Sequence, residues 1–326
     1  MSTPDIERMR MFVADLLSDR DCITAPPIGL VKANHLGPLA YRRGVAEFRD
    51  EYAAAAIMAE RRAQILRDVL RAFADRGIEA AMLKGVSFLG NIYPDVAERP
   101  MNDIDLLVRV TQLPDAIEAL KALGFQRTGF ERKLSDYYHA IVFNRDDMMV
   151  ELHRNIMQRL RMRMPLDDVW ARTRPDDQGS GARRLERVDE LLMCMIHISR
   201  HELAVPAINF VDVRRLWQRL DETQRIELRD RARDYRVGRA IDAVLGMTEL
   251  LAAGSAGTPR VGAGSAILPS TDDVLRGNRP RRARQIAQKL YLTQGPREHV
   301  GLAFTTVAAI VNGWYLSRRG TRRGPG

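Results

Sequence analysis

The 326-residue chain has few of the features that mark secreted or membrane proteins. Its two cysteines, Cys22 and Cys194, lie far apart and lack the spacing of metal ligands. This excludes a disulfide framework and favours a reduced, cytoplasmic protein. The opening residues MSTPDIERMRMF lack an apolar stretch behind a basic start, so we expect no signal peptide. No repeat period is visible, which argues against a solenoid.

Aromatic residues are also scarce, at 6% of the chain, and no nucleic-acid-binding motif stands out. Both observations argue against a surface that stacks on bases. The net charge of +9 nevertheless indicates an anionic partner, which could be a nucleotide, a nucleic acid or a membrane surface. Much of the excess lies in residues 276–284 and in the tail 317–326, which we expect to be disordered.

Long hydrophobic runs are absent apart from residues 300–316, VGLAFTTVAAIVNGWYL. This run is short for a bilayer and contains Thr305, Thr306 and Asn312. We therefore expect a buried helix here and no membrane span, with contact to a membrane surface as the alternative.

The pattern of apolar and polar residues changes twice along the chain, which predicts three regions. Residues 1–76 read as an N-terminal helical region, with three prolines marking 23–42 as a loop or short irregular stretch. Residues 77–160 alternate short helices with strand candidates such as DIDLLV, HAIVFN and MMVELH. Residues 161–326 return to helical patterns, with a Gly-rich, flexible stretch near 253–265 and the basic tail. The expected class is α+β, a small mixed sheet flanked by helices.

Two carboxylates interrupt the apolar run MNDIDLLV at 101–108. Side chains at positions i and i+2 of a strand face the same side, so Asp103 and Asp105 project together. Such a pair repels unless a cation lies between, and Mg²⁺ suits oxygen ligands. Glu151, on the later strand MMVELH, is a candidate third ligand. Three carboxylates can hold two metal ions in a phosphoryl displacement.

A phosphate-binding turn is predicted upstream, in MLKGVSF. Here a short strand enters Lys84-Gly85 and a helix starts near Ser87. A glycine turn before a helix offers backbone N–H groups and the positive end of the helix dipole to an anion. Lys84 adds a charge and Ser87 a hydroxyl. Each motif alone is usually a plain turn or surface feature, whereas their combination in this order is more specific.

These motifs resemble the branch of the DNA polymerase β-like nucleotidyltransferase superfamily that is usually labelled uncharacterised nucleotidyltransferases. The resemblance runs over residues 78 to 220. It departs from the superfamily pattern in two places: Val86 separates Gly85 from Ser87, and the third acid is Glu151 where Asp is commoner. The matching residues are Leu83-Lys84-Gly85, Tyr93, Arg99, Asp103-Ile104-Asp105, Glu151-Leu152-His153, His197, Arg200, His201 and Phe210-Val211-Asp212.

The resemblance implies an enzyme of the EC 2.7.7 type. It would move a nucleoside monophosphate from a nucleoside triphosphate, with ATP the expected donor, to an acceptor hydroxyl or other nucleophile and release pyrophosphate. The acceptor stays open between a small molecule, a protein and an RNA end. The implied residues are Asp103, Asp105 and Glu151 for catalysis and two Mg²⁺ ions, and Lys84, Gly85, Ser87, His197, Arg200 and His201 for the nucleotide.

Several alternatives stay open at this stage. The chain could be a degenerate relative that binds a nucleotide or a partner protein, or a nucleic-acid-binding protein. His197 and His201 share a helix face, where a structural role competes with phosphate binding and a zinc site is disfavoured. His139 and His153 are expected to be structural or to support neighbouring groups. Arg99 is expected to contact substrate or to pair with an acid.

Overall fold

The structure, a computed structural model, describes residues 3–22, 25–128, 139–156, 164–177 and 179–303. Most of the apolar run 300–316 and all of the tail 317–326 lie outside these ranges, so the predictions made for them stay predictions. Among the described residues, no helix combines the length and the apolar character needed to cross a bilayer.

The N-terminal region forms four helices: α1 (Thr3–Leu17), α2 (Ile28–Ala33), α3 (Gly37–Arg42) and α4 (Arg49–Ala74). The loop or short irregular stretch expected over 23–42 was wrong, since α2 and α3 lie there. Proline sits in the first turn of α3, where its missing N–H costs no helical hydrogen bond. Apolar residues of both short helices are buried in the core.

A mixed sheet follows, in the strand order β3-β4-β5-β2-β1-β7-β6. The central pair β2 and β5 is parallel, whereas β1 runs antiparallel to β2 and β4 antiparallel to β5. Together with the helices, this confirms the α+β class. The strands are β1 (Ala80–Leu83), β2 (Asp103–Val108), β3 (Gln126–Arg127), β4 (Ala140–Arg145), β5 (Met148–His153), β6 (Arg174–Pro175) and β7 (Arg183–Arg184).

The remaining helices surround the sheet and build the C-terminal region. Three of them lie among the strands in sequence: α5 (Lys84–Phe88), α6 (Leu113–Ala122) and α7 (Leu166–Arg172). The rest are α8 (Arg187–Arg200), α9 (Ile208–Gln218), α10 (Glu222–Asp234), α11 (Gly238–Ala252), α12 (Thr271–Leu275) and α13 (Arg282–Leu292). β6 and β7 extend the sheet beyond residue 160, and the division of the chain at residues 76 and 160 stays a prediction.

Two large hydrophobic clusters lie in the part of the chain that the structure describes. One joins α1–α3 to α8, α9 and α11, and the other packs α4 and α6 against the sheet. Ile104, Leu106 and Val108 of β2 belong to the second cluster. Because side chains alternate along a strand, Asp103 and Asp105 project from the opposite face of the sheet. The carboxylates are therefore directed away from α4 and α6.

Candidate active site

The sheet register brings the ends of three strands together. Leu83 of β1 lies opposite Asp105 of β2, and Glu151 of β5 lies opposite Asp105 on its other side. Lys84 follows Leu83 directly, and its side chain lies at the same end of these strands, beside Asp105. Neighbouring residues in register share one face of a sheet. The carboxylates predicted to act together are thus adjacent although 46 residues separate them (151 − 105).

Lys84 and His153 are the hydrogen-bonding partners of this cluster. The Lys84 Nζ donates to Asp105 Oδ1 at 2.8 Å and lies 3.9 Å from Glu151 Oε2. The His153 Nε2 is 2.7 Å from the same oxygen of Asp105 and 3.3 Å from Glu151 Oε2. Asp105 therefore receives two donors on one oxygen. His153 was expected only to be structural or to support its neighbours, and its spacing two residues after Glu151 is the signal that could have placed it here.

The local charges move the carboxyl pKa values in opposite directions. Burial and the neighbouring Asp105 raise the pKa of Asp103 to about 6. Burial also acts to raise the pKa of Asp105, but Lys84 and the His153 hydrogen bond outweigh it and hold that pKa below its usual range. Burial acts to lower the pKa of His153, whereas its hydrogen bonds to Asp105 and Glu151 raise it overall. One carboxylate is thus firmly ionised while its neighbour titrates near neutrality.

One group of side chains in the described residues has the arrangement of a metal site. Single ligand atoms of Asp105, Glu151 and His153 all lie within 4.8 Å of one another. Two carboxylate oxygens and an imidazole nitrogen suit a divalent cation. The group shares Asp105 and Glu151 with the predicted ligand set and replaces Asp103 by His153. Asp103 is half-buried at the start of β2, on the same strand face.

The predicted phosphate turn has an unusual backbone. Lys84 adopts a left-handed φ of 49°, a conformation that non-glycine residues rarely hold and that often marks a functional site. A Cβ on Gly85 would lie 3.3 Å from the Met101 sulfur, so glycine allows the turn to approach the loop before β2. The Ser87 hydroxyl is buried and donates to Glu190, which keeps it within the protein in this structure.

A pocket of about 190 Å³ opens between this turn and the C-terminal helices. Lys84, Gly85, Asp103, Asp105 and His197 line it, which brings five predicted site residues to one cavity. The wall also contains three polar residues that were not predicted. No motif surrounds His35 and Asn209, whereas Asn102 directly precedes Asp103 in MNDIDLLV.

The end of α8 carries the predicted histidines and Arg200. The rings of His197 and His201 are 4.8 Å apart, and Arg200 Nη1 donates to His139 Nε2 at 2.5 Å. Burial, reinforced by nearby cations, lowers the pKa of both α8 histidines, that of His201 to about 4. They are therefore neutral near pH 7. Neither joins a group of three metal-ligating side chains in the part of the chain that the structure describes.

Arg99 pairs with an acid, the second of the two roles expected for it. Its guanidinium donates to both carboxylate oxygens of Asp212, at 2.8 to 3.1 Å, and the Tyr93 hydroxyl donates to Oδ1 at 2.7 Å. Arg99 also donates to the carbonyl of Pro100, at 2.6 Å. Asp212 lies on α9, so this cluster fixes the loop before Asp103 to the C-terminal helices.

Comparison with known proteins identifies the family. Residues 31–253, more than half of the chain, match the family described as Uncharacterised nucleotidyltransferase, and the chain belongs to it. No curated protein matches. Among solved structures, antibiotic-resistance factor ANT(2'')-Ia in solution is 12% identical, covering 54% of this chain and 92% of that one with a TM-score of 0.38. The crystal structure of ANT(2'')-Ia in complex with adenylyl-2''-tobramycin is 11% identical, covering 52% and 97% with a TM-score of 0.37. Similarity at this level adds no argument to the family match.

Proposed function

We propose that the protein is a Mg²⁺-dependent nucleotidyltransferase that moves a nucleoside monophosphate from a nucleoside triphosphate, ATP by expectation, to an acceptor nucleophile. One observation carries the proposal. Asp103, Asp105 and Glu151 converge on one face of adjacent strands, beside a left-handed turn at Lys84 and an open pocket. The family match supports nucleotidyl transfer in general, and the metal, donor and residue roles are the finer part of the proposal.

The carboxylates fit a divalent cation. Burial and repulsion from Asp105 raise the pKa of Asp103, and the cluster already attracts the ammonium of Lys84. Asp103, Asp105 and Glu151 would hold Mg²⁺, with His153 at the edge of the set. The bound cation would supply charge stabilisation for the phosphates and for the attacking oxygen.

The remaining work falls to the protein's own side chains. Lys84 and the backbone of Gly85, which line the pocket, would bind the phosphates of the donor. Glu151, which is partly exposed, is placed to accept the proton of the acceptor hydroxyl. Arg200, His197 and His201 approach from α8 and would cover the phosphates. Neutral histidines there donate hydrogen bonds without adding charge. Ser87 completes the predicted set if its hydroxyl leaves Glu190.

The proposal includes a cytoplasmic location, to which two unpaired cysteines are suited. The competing possibility is a degenerate relative that binds a nucleotide or a partner protein without turnover.

Calorimetry of nucleotide binding tests the proposal. ATP, GTP, CTP and UTP are titrated with and without Mg²⁺ into the wild type and the double variant Asp103→Asn/Asp105→Asn. A matched control, Asp75→Asn/Asp115→Asn, removes the same charge from exposed positions at the far end of the sheet. We expect binding that requires Mg²⁺, persists in the control and falls by at least about 100-fold in the first variant, as expected when metal ligands are lost.

Turnover is then measured as Mg²⁺-dependent release of pyrophosphate or labelling of an acceptor. Absence of binding for all four nucleotides, or binding indifferent to Asp103 and Asp105, would overturn the proposal in favour of a partner-binding relative. Binding without turnover on any acceptor supplied would point to the degenerate nucleotide-binding protein.

A further inference from the structure

A group of exposed arginines lies on the segment that leads into α13. Arg279, Arg281 and Arg282 are exposed, and none of them forms an ion pair with any acidic residue that the structure describes. We call these three residues the arginine ridge. Arg284, on the next turn, is instead anchored, since its guanidinium donates to the carbonyls of Ile267 and Leu268. Uncompensated surface charge of one sign attracts an anionic partner.

The ridge is fixed beside the end of α8. Gln285 Nε2 donates to Glu202 Oε2 at 2.9 Å, and Lys289 Nζ lies 3.5 Å from Glu202 Oε1. Glu202 is buried and follows Arg200 and His201 directly in the chain. These two contacts therefore hold α13 against the helix end that carries predicted nucleotide-binding residues.

A short path connects the ridge to the catalytic pocket. Arg200, Lys84, Lys289 and Arg279 all lie near enough to His201 to act on it electrostatically. Its ring is 4.8 Å from that of His197, which lines the pocket with Asp103 and Asp105. One helical turn, about 5 Å, separates the two histidines along α8. These contacts connect the ridge, through the neutral side chains of His201 and His197, to the pocket that Asp103 and Asp105 line.

We propose that the acceptor is the end of a single-stranded polynucleotide whose phosphates lie along the arginine ridge, with its terminal hydroxyl at Glu151. This rests on the proposed function and names its acceptor class. A chain of regularly repeated phosphates suits several unpaired arginines in a row, whereas a small acceptor would fit within the pocket alone. The shortage of aromatic residues indicates contact with phosphates rather than stacking, so recognition is tolerant of sequence.

The proposed transfer is a single displacement at the α-phosphorus of the donor. The terminal hydroxyl oxygen attacks the α-phosphorus of the donor, forming one P–O bond and breaking the bond between the α-phosphorus and the oxygen that bridges to the β-phosphate. Pyrophosphate leaves with that oxygen, and the hydroxyl proton passes to Glu151. The product is the polynucleotide extended by one nucleotide.

An anionic lipid surface is the competing partner, because Ile286 and Leu290 are exposed on α13 near the ridge. The polynucleotide is favoured because these contacts link the ridge to the cavity where the proposed transfer takes place. A flat lipid surface could contact the ridge but would not reach the cavity along α8.

The binding test uses fluorescence anisotropy with a labelled 12-nucleotide RNA of mixed sequence, and with the DNA of the same sequence, without nucleotide or Mg²⁺. The full chain is compared with Arg279→Ser/Arg281→Ser/Arg282→Ser and with a control, Arg67→Ser/Arg71→Ser/Arg76→Ser, which removes three exposed arginines, two on α4 and one just after it. The plot of log affinity against log salt concentration has a negative slope. Loss of three phosphate contacts should make this slope shallower by about 2. We expect affinity to fall at least tenfold in the ridge variant and to change little in the control.

The transfer test incubates the same RNA and DNA with Mg²⁺ and α-labelled nucleoside triphosphates. We expect labelled RNA or DNA one nucleotide longer, with the KM for the polynucleotide raised in the ridge variant and the KM for the nucleotide retained. The substrate that is extended identifies which of the two the site accepts.

Three results would overturn the acceptor proposal. Equal loss of affinity in the control triple variant would show non-specific attraction. Nucleotide binding that is intact while neither polynucleotide is extended would remove the acceptor but leave the proposed function standing. Ridge-dependent binding to vesicles of equal phosphatidylserine and phosphatidylcholine, without binding to either polynucleotide, would assign the ridge to a membrane surface. Absence of any nucleotide binding would instead mark failure of the proposed function itself.

Discussion

Asp105 and Asp212 are two buried aspartates whose surroundings differ in kind. Their exposed fractions are 2% and 1%. Asp212 receives Arg99 on both oxygens and the Tyr93 hydroxyl on one, so its charge and both its acceptor atoms are matched. Asp105 receives Lys84 and His153 on one oxygen, with Asp103 and Glu151 close by. Among the described residues no hydrogen bond reaches its other oxygen.

From these surroundings we infer that Asp212 is a structural carboxylate and that Asp105 belongs to the proposed functional site. A buried charge is tolerated when it is paired and fully hydrogen-bonded, as at Asp212. The cluster around Asp105 instead brings three carboxylates together with one lysine and one histidine, an arrangement that favours the binding of a divalent cation. Residues that perturb each other in this way, beside a cavity, are characteristic of functional sites. We therefore expect stability to depend chiefly on Asp212 and the proposed function to depend on Asp105.

The largest effect on stability is expected when Asp212, the fully paired aspartate, is replaced. Asp212→Ala leaves the buried Arg99 without its partner, so the free energy of unfolding should fall by about 3–5 kcal/mol. Urea denaturation followed by circular dichroism measures this loss. Asp105→Asn should cost clearly less, because it keeps an acceptor for Lys84 and removes repulsion from Asp103. A larger loss at Asp105 than at Asp212 would reverse the comparison.

A double-mutant cycle with Arg99→Ala sharpens this result. We expect the effects of Asp212→Ala and Arg99→Ala to be far from additive, because both remove the same ion pair. Additive losses would mean that the two residues stabilise the protein independently.

A third buried carboxylate, Glu190, extends the comparison because its described hydrogen-bond partner is the neutral Ser87 hydroxyl. Burial raises its pKa to about 7, above its usual 4.5. Between pH 4.5 and 7 the folded state keeps a proton that the unfolded state releases, so the free energy of unfolding falls as pH rises, by at most about 3 kcal/mol. Glu190→Gln should remove this part of the pH dependence.

Thermal or urea unfolding from pH 4 to 8 measures the effect. We expect Glu190→Gln to match the wild type near pH 4 and to exceed its stability by about 1–3 kcal/mol at pH 8, since glutamine avoids the buried charge. Glu186→Gln, at a partly exposed residue near the start of the same helix, is the control. An unchanged pH profile in Glu190→Gln would show that Glu190 is ionised in the folded protein.

The smallest effect tests the role of Lys84. Its ammonium occupies the neighbourhood of Asp105 and Glu151, so Lys84→Met should raise the affinity for Mg²⁺ alone by about tenfold, as loss of a nearby like charge predicts. The same variant should weaken nucleotide binding, because a phosphate contact is lost. Calorimetry with Mg²⁺ alone and with nucleotide separates the two effects, and Lys121→Met serves as an exposed control. A fall in both affinities would show that Lys84 only supports the fold.

Much of the site was predictable because its residues belong to local patterns. Asp103 and Asp105 share a strand face through simple alternation, and MMVELH marked the strand of Glu151. The loop expected over residues 23–42 was wrong, because prolines are compatible with the first turn of a helix when apolar neighbours are buried. His35 and Asn209 were missed because their role follows from where distant helices pack.

The sequence by itself determined the family, the α+β class and the strands that carry Asp103, Asp105 and Glu151, because apolar periodicity and short motifs are local properties of the chain. Only the tertiary structure decided that His153 and Lys84 share an oxygen of Asp105, that Ser87 contacts Glu190, and that Arg99 is matched by Asp212. Those partners are 21 to 113 residues apart in the chain, and strand register and helix packing alone bring them within hydrogen-bonding distance.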